Sequence, residues 1–269
     1  MDNYPRIDVT QTRIWKDEDR VAYHMRQFDE AYRSSVHLAR FIRRLPVGGG
    51  EALDVGCGAG ANIYHFSRLL PGYRWTGVDI AGDPLFALGR AKLKAASIDA
   101  TLVEGDFYRL TELLPGQQFD LVLSVQTLSV VADHEAALEQ LLAVTRGWLV
   151  ISSLFSDVDV DVRVEATDYA RPANSQGPFF YNVYSLARVR HLCERHGCRD
   201  FVAEDFEIDV DLPRPTVYGL TTYTERLADG RRLQFTGPLF QPWKFVAVRV
   251  GPNEAEQGEA RMQGVDHDG

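Results

Sequence analysis

The rhythm of apolar and polar positions divides the chain into three stretches. Over the first 46 residues Trp15, Tyr23, Met25, Phe28, Tyr32, Val36, Leu38, Ala39 and Ile42 recur at roughly helical spacing among charged residues, which predicts helix. Pro46-Val47-Gly48-Gly49-Gly50 ends that unit as a hinge. Short apolar runs follow at Ala52–Val55, Arg74–Val78, Ala100–Val103, Phe119–Val125 and Trp148–Ser153. Between them lie helical patterns at Ala61–Leu70, Pro84–Ala96, Phe107–Leu114 and Asp133–Thr145, the last with Asp133 as N-cap. Strands alternating with helices at this length predict right-handed crossovers and a parallel sheet covered on both faces, a doubly wound α/β architecture.

The rhythm breaks after Ser153. Residues 154–184 hold the alternation Asp157-Val158-Asp159-Val160-Asp161-Val162 and then a run rich in aromatics and turn residues. An excursion of that length reads as a functional lid or a substrate wall, inserted on the substrate side. Ser185–His196 returns to helix with Gly197 as its stop. Strand patterns follow at Phe201–Val210, Thr221–Leu227, Arg231–Phe235 and Phe245–Val250, with Asp229-Gly230 as a hairpin turn. The expected organisation is a helical lid at 1–46, a main domain at 47–250 with the insertion at 154–184 and an added hairpin at 221–236, and a disordered acidic tail at 251–269.

Composition narrows the class. Hydrophobic residues at 45% and charged residues at 25% exclude a disordered or fibrous chain. The net charge is −9, concentrated in part in the tail, so there is no basic field for nucleic acid or anionic lipid. No apolar run is long enough to span a membrane, and Met1-Asp2-Asn3-Tyr4-Pro5 does not open a signal peptide. Three cysteines argue against a disulfide scaffold and for a reducing compartment, with a cytoplasmic location expected.

The chemistry begins at Leu53-Asp54-Val55-Gly56-Cys57-Gly58-Ala59-Gly60, where the first strand meets the helix after it. Glycines there allow a sharp turn and a close backbone approach to a ligand, and the helix start offers unpaired N–H groups. The spacing Gly56-x-Gly58-x-x-Ala61, with Asp79 21 residues past Gly58, also fits a dinucleotide fingerprint. Asp54 points elsewhere, since a carboxylate before the glycines repels pyrophosphate and suits a cation. Glu104-Gly105-Asp106-Phe107 then places an acid beside a ring after the third strand, a pairing that suits an adenine amine and its plane. Asp54, Asp79 and Asp106 together suit a compact ligand with an ammonium, a ribose diol and an adenine.

These motifs in order, with Gly77-Val78-Asp79-Ile80 and Phe119-Asp120-Leu121-Val122-Leu123-Ser124, resemble the class I S-adenosylmethionine-dependent methyltransferases over about residues 50–153. The resemblance implies a Rossmann-like, mostly parallel seven-stranded sheet whose last strand is antiparallel. It implies S-adenosyl-L-methionine as cofactor and S-adenosyl-L-homocysteine as product. By position, Asp54 and Gly56 would lie along the methionine moiety, with Cys57, Gly58 and Gly60 in the turn. Asp79 would take the ribose hydroxyls and Ile80 would pack on the adenine. Asp106 would accept from the adenine amine with Phe107 against the ring, and Ser124, Val125 and Gln126 would lie near the transferred methyl. Tyr181–Leu186, Phe206–Pro213, Thr222–Thr224 and Gly230–Leu239 are similar to bacterial methyltransferases of polysaccharide and secondary-metabolite pathways.

Methyl transfer from a sulfonium is an in-line displacement, for which orienting the reactants contributes about 7–11 kcal/mol. A base is needed only for a weakly acidic acceptor such as an alcohol. Gln126, His134 and His24 are the candidates for the chemistry, although His134 also reads as a solvated helix-start residue and His24 as a surface one. Tyr23, Gln27, Thr127, Tyr181 and Tyr184 are the candidates for the acceptor. Tyr169, Phe179 and Phe180 suit a substrate wall or packing onto the sheet equally. Asp157, Asp159 and Asp161 read as the solvated face of a strand. Cys193 and Cys198 make a poor metal pair, and no metal is expected.

The acceptor class can be pruned further. Base-methylating enzymes carry Asn/Asp-Pro-Pro-Tyr at the fourth strand's end, where this chain has Ser124-Val125-Gln126-Thr127, so a nucleic-acid partner is not expected. A metal-dependent catechol-type transfer would want a carboxylate there. The expectation is O-methylation of a small molecule, a sugar or a secondary-metabolite intermediate, with N- or C-methylation second, no membrane partner, and a homodimer left open. Two rivals stand beside it. An NAD(P)-dependent oxidoreductase lacks support from any Tyr-x-x-x-Lys pair, and a non-catalytic S-adenosylmethionine-binding subunit has all four motifs against it.

Overall fold

Two helices, α1 (Asp17–Arg26) and α2 (Arg33–Ile42), precede the alternation that the apolar pattern predicts: β1 (Gly50–Val55), α3 (Ala61–Leu69), β2 (Tyr73–Asp79), α4 (Leu85–Ala95), β3 (Ala100–Glu104), α5 (Leu110–Leu113), β4 (Phe119–Val125), α6 (His134–Ala143) and β5 (Thr145–Ser156). The computed structural model describes residues 17–166, 179–214, 222–236, 239 and 241–251. The second half adds β6 (Glu165–Ala166), β7 (Phe179–Phe180), β8 (Tyr184–Ser185), α7 (Leu186–Arg195), β9 (Phe201–Asp205), the hairpin β10 (Thr222–Arg226) and β11 (Arg232–Thr236), and β12 (Trp243–Arg249).

The main sheet runs β3-β2-β1-β4-β5-β12-β9, with β8 pairing the end of β5. Strands β1 to β5 are parallel to one another, and β12 is antiparallel to both β5 and β9. Side chains alternate across the sheet and divide the core in two. Leu121 and Leu123 share a core with α2, α3 and α4 through Leu38, Ile42, Ile63, Phe66 and Phe86. Val122 faces α5, α6 and α7 through Leu110, Leu138, Leu141 and Val189. Each such fully buried side chain contributes about 1.5–3 kcal/mol, so the sheet is a stiff platform for the loops at its ends.

Several expectations change. Helix α2 is not part of a lid: Leu38 and Ile42 are wholly buried against the sheet's core. Among the described residues of that segment, α1 and the turn after it pack beside the glycine turn, with Val21, Met25 and Phe28 against Ala59, Ala61 and Leu85. The helix at Phe107–Leu114 is a 3₁₀ turn at Phe107–Arg109 followed by the single turn α5. The strand from Phe201 stops at Asp205, because Phe206 N–H turns to Trp243 O and Ile208 N–H to Arg232 O. Residues 157–161 form no strand. Asp157 pairs with Lys244 at 3.0 Å, while Asp159 and Asp161 accept from Ser185 Oγ and N.

The Asp229-Gly230 turn forms as predicted, with Gly230 at φ +88° and Leu227 N–H bonded to Arg231 O at 2.9 Å. Asp133 caps α6 by accepting from Ala136 N–H at 3.1 Å, and Gly197 ends α7 at φ +75°. No helix among the described residues is long and apolar enough to cross a membrane. Tyr169, the Phe179 side chain and the tail from 252 lie outside the described residues.

Candidate functional site

The loops after β1, β2 and β3 meet at the carboxyl ends of these strands. Gly56, Gly58 and Gly60 all have positive φ, at +82°, +56° and +88°, which explains the three glycines as a requirement of the turn. Gly56 and Cys57 N–H bond to Val78 O, and Gly105 N–H bonds to Asp79 O at 3.0 Å, which ties the three loops together. The Asp79 carboxylate is aimed by two backbone donors: Gly58 N–H reaches Oδ2 and Ala81 N–H reaches Oδ1, each at 2.8 Å.

Asp54 has no such support. It is wholly buried, and neither carboxylate oxygen has a hydrogen-bond partner. Burial, with Asp79 nearby as a second cause, pushes its carboxyl up to about 7 from 3.8. An unpaired carboxylate in this position is costly unless a cation or donors come to it. The Cys57 thiol beside the two acids is also pushed up, chiefly by burial and then by Asp79 and Asp54.

The end of β4 and the helix α1 complete the site. Gln126 takes a left-handed φ of +58° while its N–H bonds Ser152 O at 2.8 Å, a conformation uncommon outside glycine and often kept for function. It turns the chain so that Thr127 packs over Gly56, into the space a Cβ would fill. His24 covers Gly58, with Nδ1 2.6 Å from the point where a Cβ would stand. Tyr23 hydrogen-bonds Tyr32 and Gln27 and lies near Tyr181, and burial pushes its phenol up to about 12. Tyr181 is half-buried, edge-on to Trp243 with ring centroids 6.2 Å apart, and hydrogen-bonded to Thr236. Sequence reasoning missed Tyr32, whose signal was an aromatic residue in the short turn between two helices.

Other candidates fall differently. Ile80 is half-buried and flanks Asp79. Asp106 is exposed and accepts from Tyr108 N–H at 2.9 Å, whereas Phe107 gives nearly all its surface to the core and leaves 8% open to a ligand. Ser124 is wholly buried with its hydroxyl unpartnered, and Val125 lies half-buried behind Gln126.

Tyr184 is not an acceptor residue. It is fully buried, its hydroxyl donates to Val131 O and accepts from Asn182 Nδ2 at 3.0 Å. His134 is not solvated at its helix start: it is 5% exposed and stacks on Tyr184 with centroids 3.9 Å apart. Burial lowers its pKa against the opposing pull of Asp161. Both rings are absorbed by packing of the insertion onto the sheet.

Residues 52–147 match the methyltransferase domain family. No curated protein sequence matches the chain. Among solved structures, magnesium protoporphyrin IX methyltransferase from Synechocystis PCC 6803 with bound S-adenosylhomocysteine superposes at a TM-score of 0.55 and 13% identity, over 91% of this chain and 100% of that one. A putative methyltransferase of Haloferax volcanii, solved with its Trm112 activator, superposes at 0.54 and 17% identity over 88% and 96%. An O-methyltransferase family protein from Burkholderia thailandensis does so at 0.53 and 12% over 91% and 63%. The family's cofactor is S-adenosylmethionine, and the turn fits it: the orphaned, buried Asp54 carboxylate suits an ammonium, and the backbone-braced Asp79 suits a diol. Residues 52–147 are thus similar to the methyltransferase domain family, and the chain has the class I S-adenosylmethionine-dependent methyltransferase fold.

Proposed function

We propose that the chain transfers a methyl group from S-adenosylmethionine to a hydroxyl of a neutral small molecule, such as a sugar or a secondary-metabolite intermediate. The observation that carries the reading is the acid pair at the turn, with Asp54 buried and unpartnered beside the fixed Asp79. A pyrophosphate would meet two carboxylates there, which disfavours a nicotinamide dinucleotide. The neutral acceptor is supported by the groups gathered near α1: Tyr23, Gln27, Tyr32, Thr127 and Tyr181 offer hydroxyls and an amide, not charges.

When bound, the cofactor supplies an electrophilic methyl group on a cationic sulfur. Asp54 would hold the ammonium, Asp79 the ribose hydroxyls, Ile80 the face of the adenine and Asp106 its amine. Tyr23, with its phenol at about 12, keeps its proton at neutral pH and serves as a hydrogen-bond donor to the acceptor. Gln126 and Thr127 orient the acceptor, and the packed α1 excludes water from the turn. His24, whose imidazole lies against Gly58, is the group that takes the hydroxyl proton as the new C–O bond forms.

The test is to incubate the protein with methyl-labelled S-adenosylmethionine, an acceptor panel and extracts of its host, following S-adenosylhomocysteine and the labelled product. Labelling of a hydroxyl oxygen is the expected result. Cofactor binding with no labelled product across extracts would make this a binding subunit, and preferential binding of NAD(P) in equilibrium dialysis would overturn the assignment of the turn.

A further inference from the structure

Cys193 and Cys198 stand outside the methyl-transfer site. Cys193 lies in the last turn of α7, Gly197 reverses the chain at φ +75°, and Cys198 N–H donates back to Cys193 O at 3.0 Å. That closure folds Cys198 back against the last turn of α7 that carries Cys193. Both line one cavity of about 450 Å³, together with Trp148, Arg44, Arg190 and Arg199. The register Ala52↔Leu121↔Trp148 puts this cavity level with the start of β1, at the opposite end of the sheet from the glycine turn.

We propose that Cys193 and Cys198 form a dithiol that an anionic small-molecule disulfide, of the glutathione disulfide kind, converts to an intramolecular disulfide. Both cysteines face the cavity, and three arginines against Glu194 and Asp200 leave its wall positive on balance. The two thiols are unequal. Cys198 retains 9% exposure and its ionisation is eased by Cys193 beside it, while Cys193 is 1% exposed and its ionisation is opposed by Cys198 and by burial. Cys198 is thus the attacking sulfur and Cys193 the resolving one.

The exchange balances in two steps. The Cys198 thiolate attacks one sulfur of the small disulfide and expels one small thiolate, leaving a mixed disulfide on Cys198. Cys193 then gives its proton to that expelled thiolate and attacks Cys198 Sγ, expelling the second, which takes from solvent the proton that Cys198 released on ionising. Two protein thiols and one small disulfide become one protein disulfide and two small thiols. Cys57, buried at the other end of the sheet beside two acids that disfavour its thiolate, is the internal control.

The full chain is treated with glutathione disulfide, alkylated and digested with trypsin without reduction. Arg195 lies between the two cysteines, so cleavage separates residues 191–195 from 196–199 unless a disulfide joins them. The expected result is a joined pair that dithiothreitol splits. In Cys193→Ser the reaction should stop at a glutathione adduct on Cys198, exceeding any adduct on Cys57 by about tenfold or more. Recovery of both peptides alkylated and unjoined from the native chain overturns the proposal, as does modification of Cys57 ahead of Cys198.

Discussion

Replacing Asp54 by Asn keeps the shape of the side chain and removes its charge, and the burial of that charge governs both stability and binding. The carboxyl ionises near 3.8 in the unfolded chain and at about 7 in the folded one. Because the folded state binds this proton more tightly, the native protein loses stability as pH rises from about 3.8 to about 7 and is level above that. At 1.36 kcal/mol per pH unit, Asp54→Asn should be more stable than the native chain by about 1 kcal/mol at pH 4.5, about 3 at pH 6 and about 4 at pH 8. Urea unfolding of the two apo proteins at these pH values measures it. Binding should move the other way. The fraction of ionised Asp54 rises roughly eightfold between pH 6 and 7.5, and native affinity for S-adenosylmethionine should follow it. The variant should bind roughly 10- to 160-fold more weakly at pH 7.5, from the loss of a charge-assisted bond of ~1.5–3 kcal/mol, and should lose that pH dependence. A variant less stable than the native chain at pH 8, or one that binds S-adenosylmethionine as tightly, would refute the assignment of Asp54 as a buried acid awaiting a cation.

Asp79→Ala should lower cofactor affinity at least about tenfold in calorimetry, since it removes the proposed diol acceptor and the group that fixes Gly58 and Ala81 N–H. Gly58→Val should abolish cofactor binding: a β-branched residue is strained at φ +56°, and its Cβ meets His24 and pushes α1 away. Faster tryptic cleavage at Arg26 would report that displacement, and normal turnover would contradict it. Tyr184→Phe should cost about 1–2 kcal/mol in urea unfolding while leaving S-adenosylmethionine affinity intact, because the hydroxyl serves Val131 O and Asn182 and not the turn.

The strands, the crossovers and the glycine turn were legible because each depends on local pattern. Phe119–Val125 is too apolar and too short to be anything but a central strand, and three glycines in five residues make sense only where φ is positive three times. What escaped the sequence depends on which surface a segment meets. The valine–aspartate alternation at 157–162 has a strand's period, yet Lys244 and Ser185 capture the three acids one by one, and Val158 and Val160 are left exposed. Helix α2 has an apolar face wide enough for a lid or for the core, and only the breadth of the sheet beyond β1 decides between them. His134 and Tyr184 were ambiguous for a similar reason, since a ring in an irregular insertion carries no period that says which way it points.

The burial of Tyr184 explains why Tyr181 stays in place at the mouth of the site. Among its described residues, the insertion that leaves β5 and returns through β8 has only the two-residue β6–β7 ladder and the Val162–Val183 bridge, so its backbone groups need other partners. Asn182 does most of this: its N–H bonds Ser129 O at 2.7 Å, its Oδ1 accepts from Val164 N–H at 3.1 Å, and its Nδ2 reaches Val131 O at 3.1 Å. Tyr184 bonds the same carbonyl, and His134 closes over its ring. Residue 181 is thereby fixed one position before the knot, its own N–H on Val164 O at 2.9 Å, with its ring turned to Trp243 and toward Tyr23. The two tyrosines thus divide, with Tyr184 holding the insertion to the sheet and Tyr181 left half-buried beside Tyr23, where the proposed acceptor would meet it. Loosening the knot should therefore shift the KM for the acceptor more than the affinity for the cofactor, whose partners lie on loops that the insertion does not carry.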